Sequence, residues 1–285
     1  TAVVIGNAFN KIVTGLVNNT NKLSGGVGIE IKYHNSNNRY PVFDGVTVQN
    51  NRIDQVDRCG IKAIRLTELD QNNGNGEEVG GDSQRYAGVR RSGKNQASTN
   101  YVVRNNYLTD IGGDGILVDS TRGALVENNL LYNHTMRATG ANAGIWSWNA
   151  FDTVFQYNES YGGPVYNQDG CSYDSDYNSA GTIFQYNYSH DCVMGFMLIM
   201  GGNDTDIIRY NLSQNDGNVW RHIAGNSNTP SYIYNNVFYY NGDNWRFVNN
   251  NASDDSQTQS IRNNWQYFNN IFYNTSETTT SNWKI

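Results

Sequence analysis

The chain has 285 residues, 38% of them hydrophobic and 13% aromatic, which is enough apolar mass for one large domain. Twenty lysines and arginines against 26 aspartates and glutamates leave a net charge of -6, which excludes nucleic acid and anionic membrane surfaces as partners, because both need a basic footprint. No apolar run approaches the roughly 18 residues of a membrane span and no basic-then-apolar segment opens the chain, so membrane insertion is not expected.

Only 16% of the residues are charged and three are proline, while asparagine, glycine and 20 tyrosines are in excess. That profile predicts an all-β, turn-dense protein. The three cysteines, Cys59, Cys171 and Cys192, are odd in number and lack C-x-x-C spacing, so they read as small buried side chains rather than a disulfide framework or a zinc site.

In chain order, short apolar runs ending in asparagine recur: "VVIGNAF", "VTVQNNRI", "YVVRNNYL", "ALVENNLL", "TVFQYNES", "TIFQYNYS", "DIIRYNLS", "YIYNNVF" and "YFNNIF". Their shared asparagines are Asn7, Asn51, Asn106, Asn129, Asn158, Asn187, Asn211, Asn236 and Asn270, spaced 23, 29, 29, 24, 25 and 34 residues apart from Asn106 to Asn270. A repeat of that length built from short alternating strands predicts the coils of a right-handed parallel β-helix, a solenoid spanning residues 1–285, stacked at about 4.8 Å per coil. The recurring asparagine predicts an internal ladder, since its amide can bond the turn backbone and the identical amide one coil away, and asparagine tolerates the left-handed conformation. The glycosylation patterns "NES", "NYS" and "NLS" at Asn158, Asn187 and Asn211 then fall on buried ladder positions and should carry no glycans.

One interval breaks the rhythm. Residues 67–99, "TELDQNNGNGEEVGGDSQRYAGVRRSGKNQAST", form a polar excursion, read either as a loop that walls a cleft or as a disordered segment. The abrupt apolar beginning "TAVVIGN" and end "SNWKI" suggest a piece of a larger protein, with an N-terminal domain or partner chain covering an end of the solenoid.

A second strand follows in most coils, opened by glycine or asparagine: "GIKA", "GILVD", "GIWSW", "GCSYDSD", "GFMLI", "NVWRH" and "NWRFV". Counting from each opener places Ile61, Ile116, Ile145, Cys171, Phe196, Val219 and Trp245 in the core. The opposite parity gives an outward row of Lys62, Leu117, Trp146, Ser172, Met197, Trp220 and Arg246, and a second row of Asp119, Trp148, Asp174, Ile199 and His222. Indole beside carboxylates, histidine and arginine suits a sugar, whose flat apolar face packs on the ring while its hydroxyls meet the charges.

Within "NQDGCSYDSDYN", residues 167–178, three aspartates gather: Asp169, Asp174 and Asp176. Asp174 and Asp176 share outward parity and sit about 6.5 to 7 Å apart on an ideal strand, a spacing usable for glycosidic bond cleavage. Asp169 stands seven residues from Asp176, so only a bend near Gly170 brings those two together. Turn formation, as in the Asp114–Gly115 pair, and calcium binding are the competing uses of such aspartates. Glycoside cleavage needs no cofactor; calcium is the ion an acidic cluster of this kind would take. His190 and Asp191 follow a ladder asparagine and read as turn residues.

The runs "AGIWSWNAFDTVFQYNESYGG" and "DGCSYDSDYNSAGTIFQYNYSHDCVMGFMLI" resemble right-handed parallel β-helix proteins that include the bacterial lacto-N-biosidases, a glycoside hydrolase type. The resemblance is greatest over residues 100–215. It implies that Asp169 is the general acid/base and Asp176 the nucleophile of a retaining mechanism, with Asp174 a hydrogen-bonding neighbour. Trp146, Trp148, Trp220, His222 and Arg246 would hold an oligosaccharide or glycan substrate, from which lacto-N-biose would be released outside the cell or at its surface. Two other functions use the same features: a calcium-dependent polysaccharide lyase with Arg221 or Arg246 as base, and a non-catalytic carbohydrate-binding adhesin.

Overall fold

The computed structural model describes residues 3–5, 8–9, 26–34, 43–66, 97–137, 142–164, 169–176, 179–200, 203, 205–223, 230–242, 246–248 and 265–275. Among these the protein is all-β, without a helix, and its strands form three parallel sheets of ten, nine and eight strands. The chain visits the sheets in rotation, with one extra two-residue strand, Thr121–Arg122, added to the first sheet. Leu125–Glu127 lies in the first sheet, Leu130–Tyr132 in the second and Ile145–Trp148 in the third, and Val154–Gln156 then returns to the first, paired in parallel with Leu125–Glu127.

The corner between the first and second sheets is always two residues long, and the ladder occupies it. In each of these corners the side-chain Nδ2 of one asparagine donates to Oδ1 of the next, from Asn51 through Asn106, Asn129, Asn158, Asn187, Asn211 and Asn236 to Asn270, at 2.8 to 3.1 Å. The same Oδ1 also accepts the preceding ladder asparagine's backbone N–H, as in Asn158 N–H to Asn187 Oδ1 at 3.0 Å. The second Nδ2 hydrogen meets a backbone carbonyl, Phe155 O for Asn187. Asn7 lies outside the described residues.

One expectation about this corner is corrected. The left-handed residue is the one before the ladder asparagine: Asn50, Asn105, Asn128, Tyr157, Tyr186, Tyr210, Asn235 and Asn269 have φ of 53 to 57°. Tyrosine bears roughly 1–2 kcal/mol of strain there, offset in part by ring stacking at 5.1 Å for Tyr157–Tyr186 and 5.0 Å for Tyr186–Tyr210. The turn tips the next peptide and its amide inward, where the ladder forms. Asn158, Asn187 and Asn211 are accordingly buried.

Inward side chains stack in columns. The first sheet contributes Val48, Val103, Val126, Phe155, Phe184 and Ile208, with Phe155 and Phe184 stacked at 4.5 Å. The third sheet contributes Ile61, Ile116, Ile145, Tyr173, Met197 and Trp220, while the second narrows from Leu108 and Leu131 to Ser160, Ser189 and Ser213. Small residues of the second sheet thus make room for the large rings of the third, preserving close packing. At Gly115 the coils approach so closely that a Cβ would come within 2.3 Å of Leu131.

The core positions counted from glycine hold for Ile61, Ile116 and Ile145 and fail at Cys171, which packs with Met194 and Leu198 outside the main core. The strand after Gly170 begins only at Tyr173, so counting from the glycine runs two residues early. Trp245 and most of the polar excursion, residues 67–96, lie outside the described residues. The expected end of that excursion at 99 is too late, because the strand Ser98–Arg104 already contains Ser98 and Thr99.

Candidate active site

The outer face of the third sheet carries the residues of interest. Its register aligns Lys62, Leu117, Trp146, Asp174, Leu198 and His222 in one row. Asp119 and Trp148 pair in the next. Asp176 extends the ladder one residue past the end of the strand Tyr173–Ser175: its N–H donates to Ser147 O at 2.9 Å, which brings it across from Trp148. The structure therefore places Trp146 beside Asp174, and Trp148 between Asp119 and Asp176.

Ser172, Met197 and Trp220, expected on this face, instead point inward. Trp220 is fully buried and meets Phe196 and Phe238 edge to face at 6.0 Å, so it is a core residue and not a sugar platform. Met197 aligns with Tyr173 and Trp220 with Met197, so in both strands the inward residue comes two positions after the opener instead of one. The bulge follows Trp220, where Leu198 pairs with His222 in the backbone register and Arg221 is the extra residue. Arg246 pairs with Asn218 rather than extending the Trp146–Asp174 row; the side chains of His222, Arg221 and Arg246 lie outside the described residues.

Trp146 and Trp148 are on the expected face, yet they pack with Cys59, Leu117 and Ala143 in a small apolar cluster, and Trp148 retains only 9% exposure. Two buried cations flank the cluster: Arg58 pairs with Asp114 at 3.0 Å and Lys62 with Glu30 at 3.1 Å. Asp114, read as a turn former, is a strand residue whose carboxylate also accepts the Ala143 N–H at 3.0 Å.

The three aspartates differ in access. Asp174 is buried at 2% exposure, whereas Asp169 and Asp176, at either end of the strand, are only partly buried. The bend that the Asp169–Asp176 pairing needs exists: Gly170 has φ of 30°, and the Cys171 N–H closes a tight turn onto Asp169 O. Gly170 O in turn accepts the Cys192 thiol at 3.1 Å. Burial pushes that thiol up to about 12, and the nearby Asp216 charge adds to the shift. Cys59, Cys171 and Cys192 are all buried thiols.

His190 is a strand residue rather than a turn residue, held between Glu159 at 3.2 Å and Asp191 at 2.8 Å, while Asp191 does turn the chain at φ of 53°. Among the described residues, no three His, Cys, Asp or Glu side chains gather to hold a metal ion.

Two buried carboxyls behind the sheet escaped sequence reasoning. Asp206 and Asp216 are each pushed up to about 7 by burial, against the opposing effect of hydrogen bonds led by Ser175 for Asp206 and by Ser189 for Asp216. In sequence they sit in "NDTD" and "NDGN", which read as surface turns. Buried His134 is pushed down to about 4 by the same desolvation.

No family model matches the chain. The chain is 32% identical over 257 residues to the lacto-N-biosidase of Bifidobacterium longum subsp. longum; the matched region covers 83% of this chain and 15% of that protein. Its fold is similar to crystal structures of the GH136 lacto-N-biosidase from Eubacterium ramulus. The native protein gives a TM-score of 0.57 and the selenomethionine derivative 0.58, each at 23% identity and covering 81% of this chain and 35% of that one. At that identity over that share of its length, and with a similar fold, the chain is a lacto-N-biosidase-like protein.

Proposed function

We propose that the chain is the right-handed parallel β-helix of an extracellular or cell-surface glycoside hydrolase, which cleaves a neutral oligosaccharide or glycan by a retaining two-aspartate mechanism and releases lacto-N-biose. The observation that carries the choice of carboxyls is the access difference: Asp169 and Asp176 reach solvent while Asp174 between them does not. A group that touches substrate must be reachable; a buried neighbour can only orient.

In this reading Asp169, on the Gly170 bend, donates its proton to the glycosidic oxygen as the bond to the anomeric carbon breaks. Asp176 attacks that carbon, forming a glycosyl ester. Asp169 then removes a proton from water, which displaces Asp176 and restores both groups. Trp148, across from Asp176, is the indole best placed to line the sugar; Asp174 beside Trp146 hydrogen-bonds from below. The chemistry needs no metal, and treatment with a chelator should leave turnover unchanged.

The test is hydrolysis of a panel of nitrophenyl glycosides, lacto-N-bioside included, by the full-length protein and its Asp169→Asn, Asp174→Asn and Asp176→Asn variants. Loss in Asp169→Asn and Asp176→Asn is expected. Full activity in Asp169→Asn with loss in Asp174→Asn would assign the pair to Asp174 and Asp176 instead. Calcium-dependent release of unsaturated products would replace hydrolysis with a lyase reaction, and glycan binding without turnover would leave an adhesin.

A further inference from the structure

On the inner face of the first sheet, one column runs Val46, Tyr101, Ala124, Thr153, Thr182, Asp206 and Ser231, in register from coil to coil. Its members are apolar or hydroxylic except for Asp206, which is completely buried. A carboxyl there costs the fold desolvation that a threonine would not. The third-sheet residue it meets is Ser175, between Asp174 and Asp176.

Every contact drawn by this carboxylate is with a donor. Ser175 Oγ donates to Asp206 Oδ2 at 2.9 Å, and Asn203 Nδ2 approaches the same oxygen at 3.4 Å. Thr182 N–H donates to Oδ1 at 3.3 Å. Asn203 Nδ2 also grips Ser175 directly, at 2.7 Å to its carbonyl and 2.9 Å to its hydroxyl. Ser175 and Thr182 are the two residues that bracket segment 176–181, which begins with Asp176. Asp206 thus closes the base of the loop that carries the candidate nucleophile. The near side of that loop is tied separately: Asp176 N–H donates to Ser147 O at 2.9 Å, Ser179 N–H donates to Asp176 O at 3.2 Å, and the Ser147 and Ser179 hydroxyls meet at 3.1 Å.

We propose that Asp206, acting through Ser175, Thr182 and Asn203, is a positioning residue that fixes where Asp176 stands relative to the substrate. The inference rests on the reading of Asp176 as nucleophile. Because the clamp sets the place of a reacting atom and not the affinity for sugar, its loss appears in kcat and not in KM; a misplacement of about 1 Å lowers turnover by about a hundredfold.

The experiment measures kcat, KM and melting temperature for full-length wild type, Asp206→Asn, Ser175→Ala and the apolar pair Ser175→Ala with Asp206→Leu, beside Asp176→Asn and a distant core control, Val48→Ala. Asp206→Asn and the apolar pair should lose kcat by about tenfold or more at nearly constant KM; the pair removes the Ser175 hydroxyl together with its acceptor but leaves the Thr182 N–H without the carboxylate, so it should melt somewhat below wild type. Ser175→Ala should lose kcat in the same sense, and Val48→Ala should melt lower with kcat intact. Full kcat in Ser175→Ala or in the apolar pair, while Asp176→Asn is inactive, would overturn this inference alone. Wild-type turnover in Asp176→Asn, or none in wild type, would overturn the nucleophile assignment and this inference with it.

Discussion

The corner between the first and second sheets and the arcs that lead into the third obey different rules. The corner is two residues long in every described coil, as at 128–129, 157–158, 186–187 and 210–211. The arc from the second sheet to the third takes twelve residues after Tyr132, eleven after Tyr161, six after His190 and three after Gln214. All of the irregular repeat spacing therefore accumulates around the third sheet. The corner is held by a repeated amide network that tolerates neither insertion nor deletion, whereas an arc needs only to return the chain to register. A chain wound through three parallel sheets can thus keep one edge invariant and vary the arcs on the other side.

The largest way to test this division is to delete chemistry on the variable side. Asp176→Asn should lower turnover by roughly 10³-fold or more and Asp169→Asn by about 10²- to 10⁴-fold, with melting temperatures near wild type, because neither side chain is in the core. Steady-state kinetics alongside calorimetry separates the two effects.

The invariant side should answer in stability. Asn187→Ala leaves the Asn158 N–H without its acceptor and takes one of two bonds from Asn158 Nδ2 and from Asn211 Oδ1, which keep Val126 O and the residue-187 backbone N–H. At about 1–3 kcal/mol for the buried group left unsatisfied and about 1 kcal/mol for a further lost bond, a loss on the order of 3 kcal/mol is expected in denaturant unfolding. Phe184→Ala, which opens a cavity between Phe155 and Tyr173, should cost about 3–5 kcal/mol. An Asn187→Ala protein as stable as wild type would show that the ladder does not hold the corner.

The buried carboxyls give a pH signature. Asp206 and Asp216 have folded values near 7 against an ordinary 3.8. A raised value means that the stability associated with each group is full below about pH 4 and is lost as pH rises through about 7, by on the order of 4 kcal/mol per group. His134, pushed down to about 4, acts oppositely: its contribution is present above about 6.5 and lost as pH falls through 4. Melting temperature should therefore decline between about pH 4 and 7 and level off above, and Asp206→Asn should flatten that decline. A profile unchanged by Asp206→Asn would place its titration elsewhere.

The smallest effect belongs to the left-handed tyrosines. Tyr186→Asn trades two stacked neighbours for relief of backbone strain, and a change within about 1 kcal/mol of zero is expected.

What could be read in the linear sequence was what repeats. The ladder asparagines announced the coils because each performs the same local task, and alternation counted from the opening residues assigned Ile61, Ile116, Ile145, Phe196 and Val219 to the interior. The "YDSDY" segment was legible as a carboxylate cluster, and Asp174 as a residue of the outer face. The rows beyond it were not. Parity counted from an opening glycine assumes that the strand begins there, and Gly170 sits in a bend while the strand at Asn218 carries a bulge. A count that is off by one residue exchanges inside for outside, and Trp220, two positions after Asn218, aligns with inward Met197 and lies in the core.

The sequence by itself determined the repeat, the asparagine ladder, the all-β class and the acidic segment, since each depends on spacing along one strand or from one coil to the next. Only the tertiary structure decided which aspartates reach solvent, that Trp220 is buried, and that Asp206 lies behind Ser175. Those facts depend on register between strands some thirty residues apart, where cross-sheet packing and hydrogen bonding, and no local pattern, choose which side chains meet.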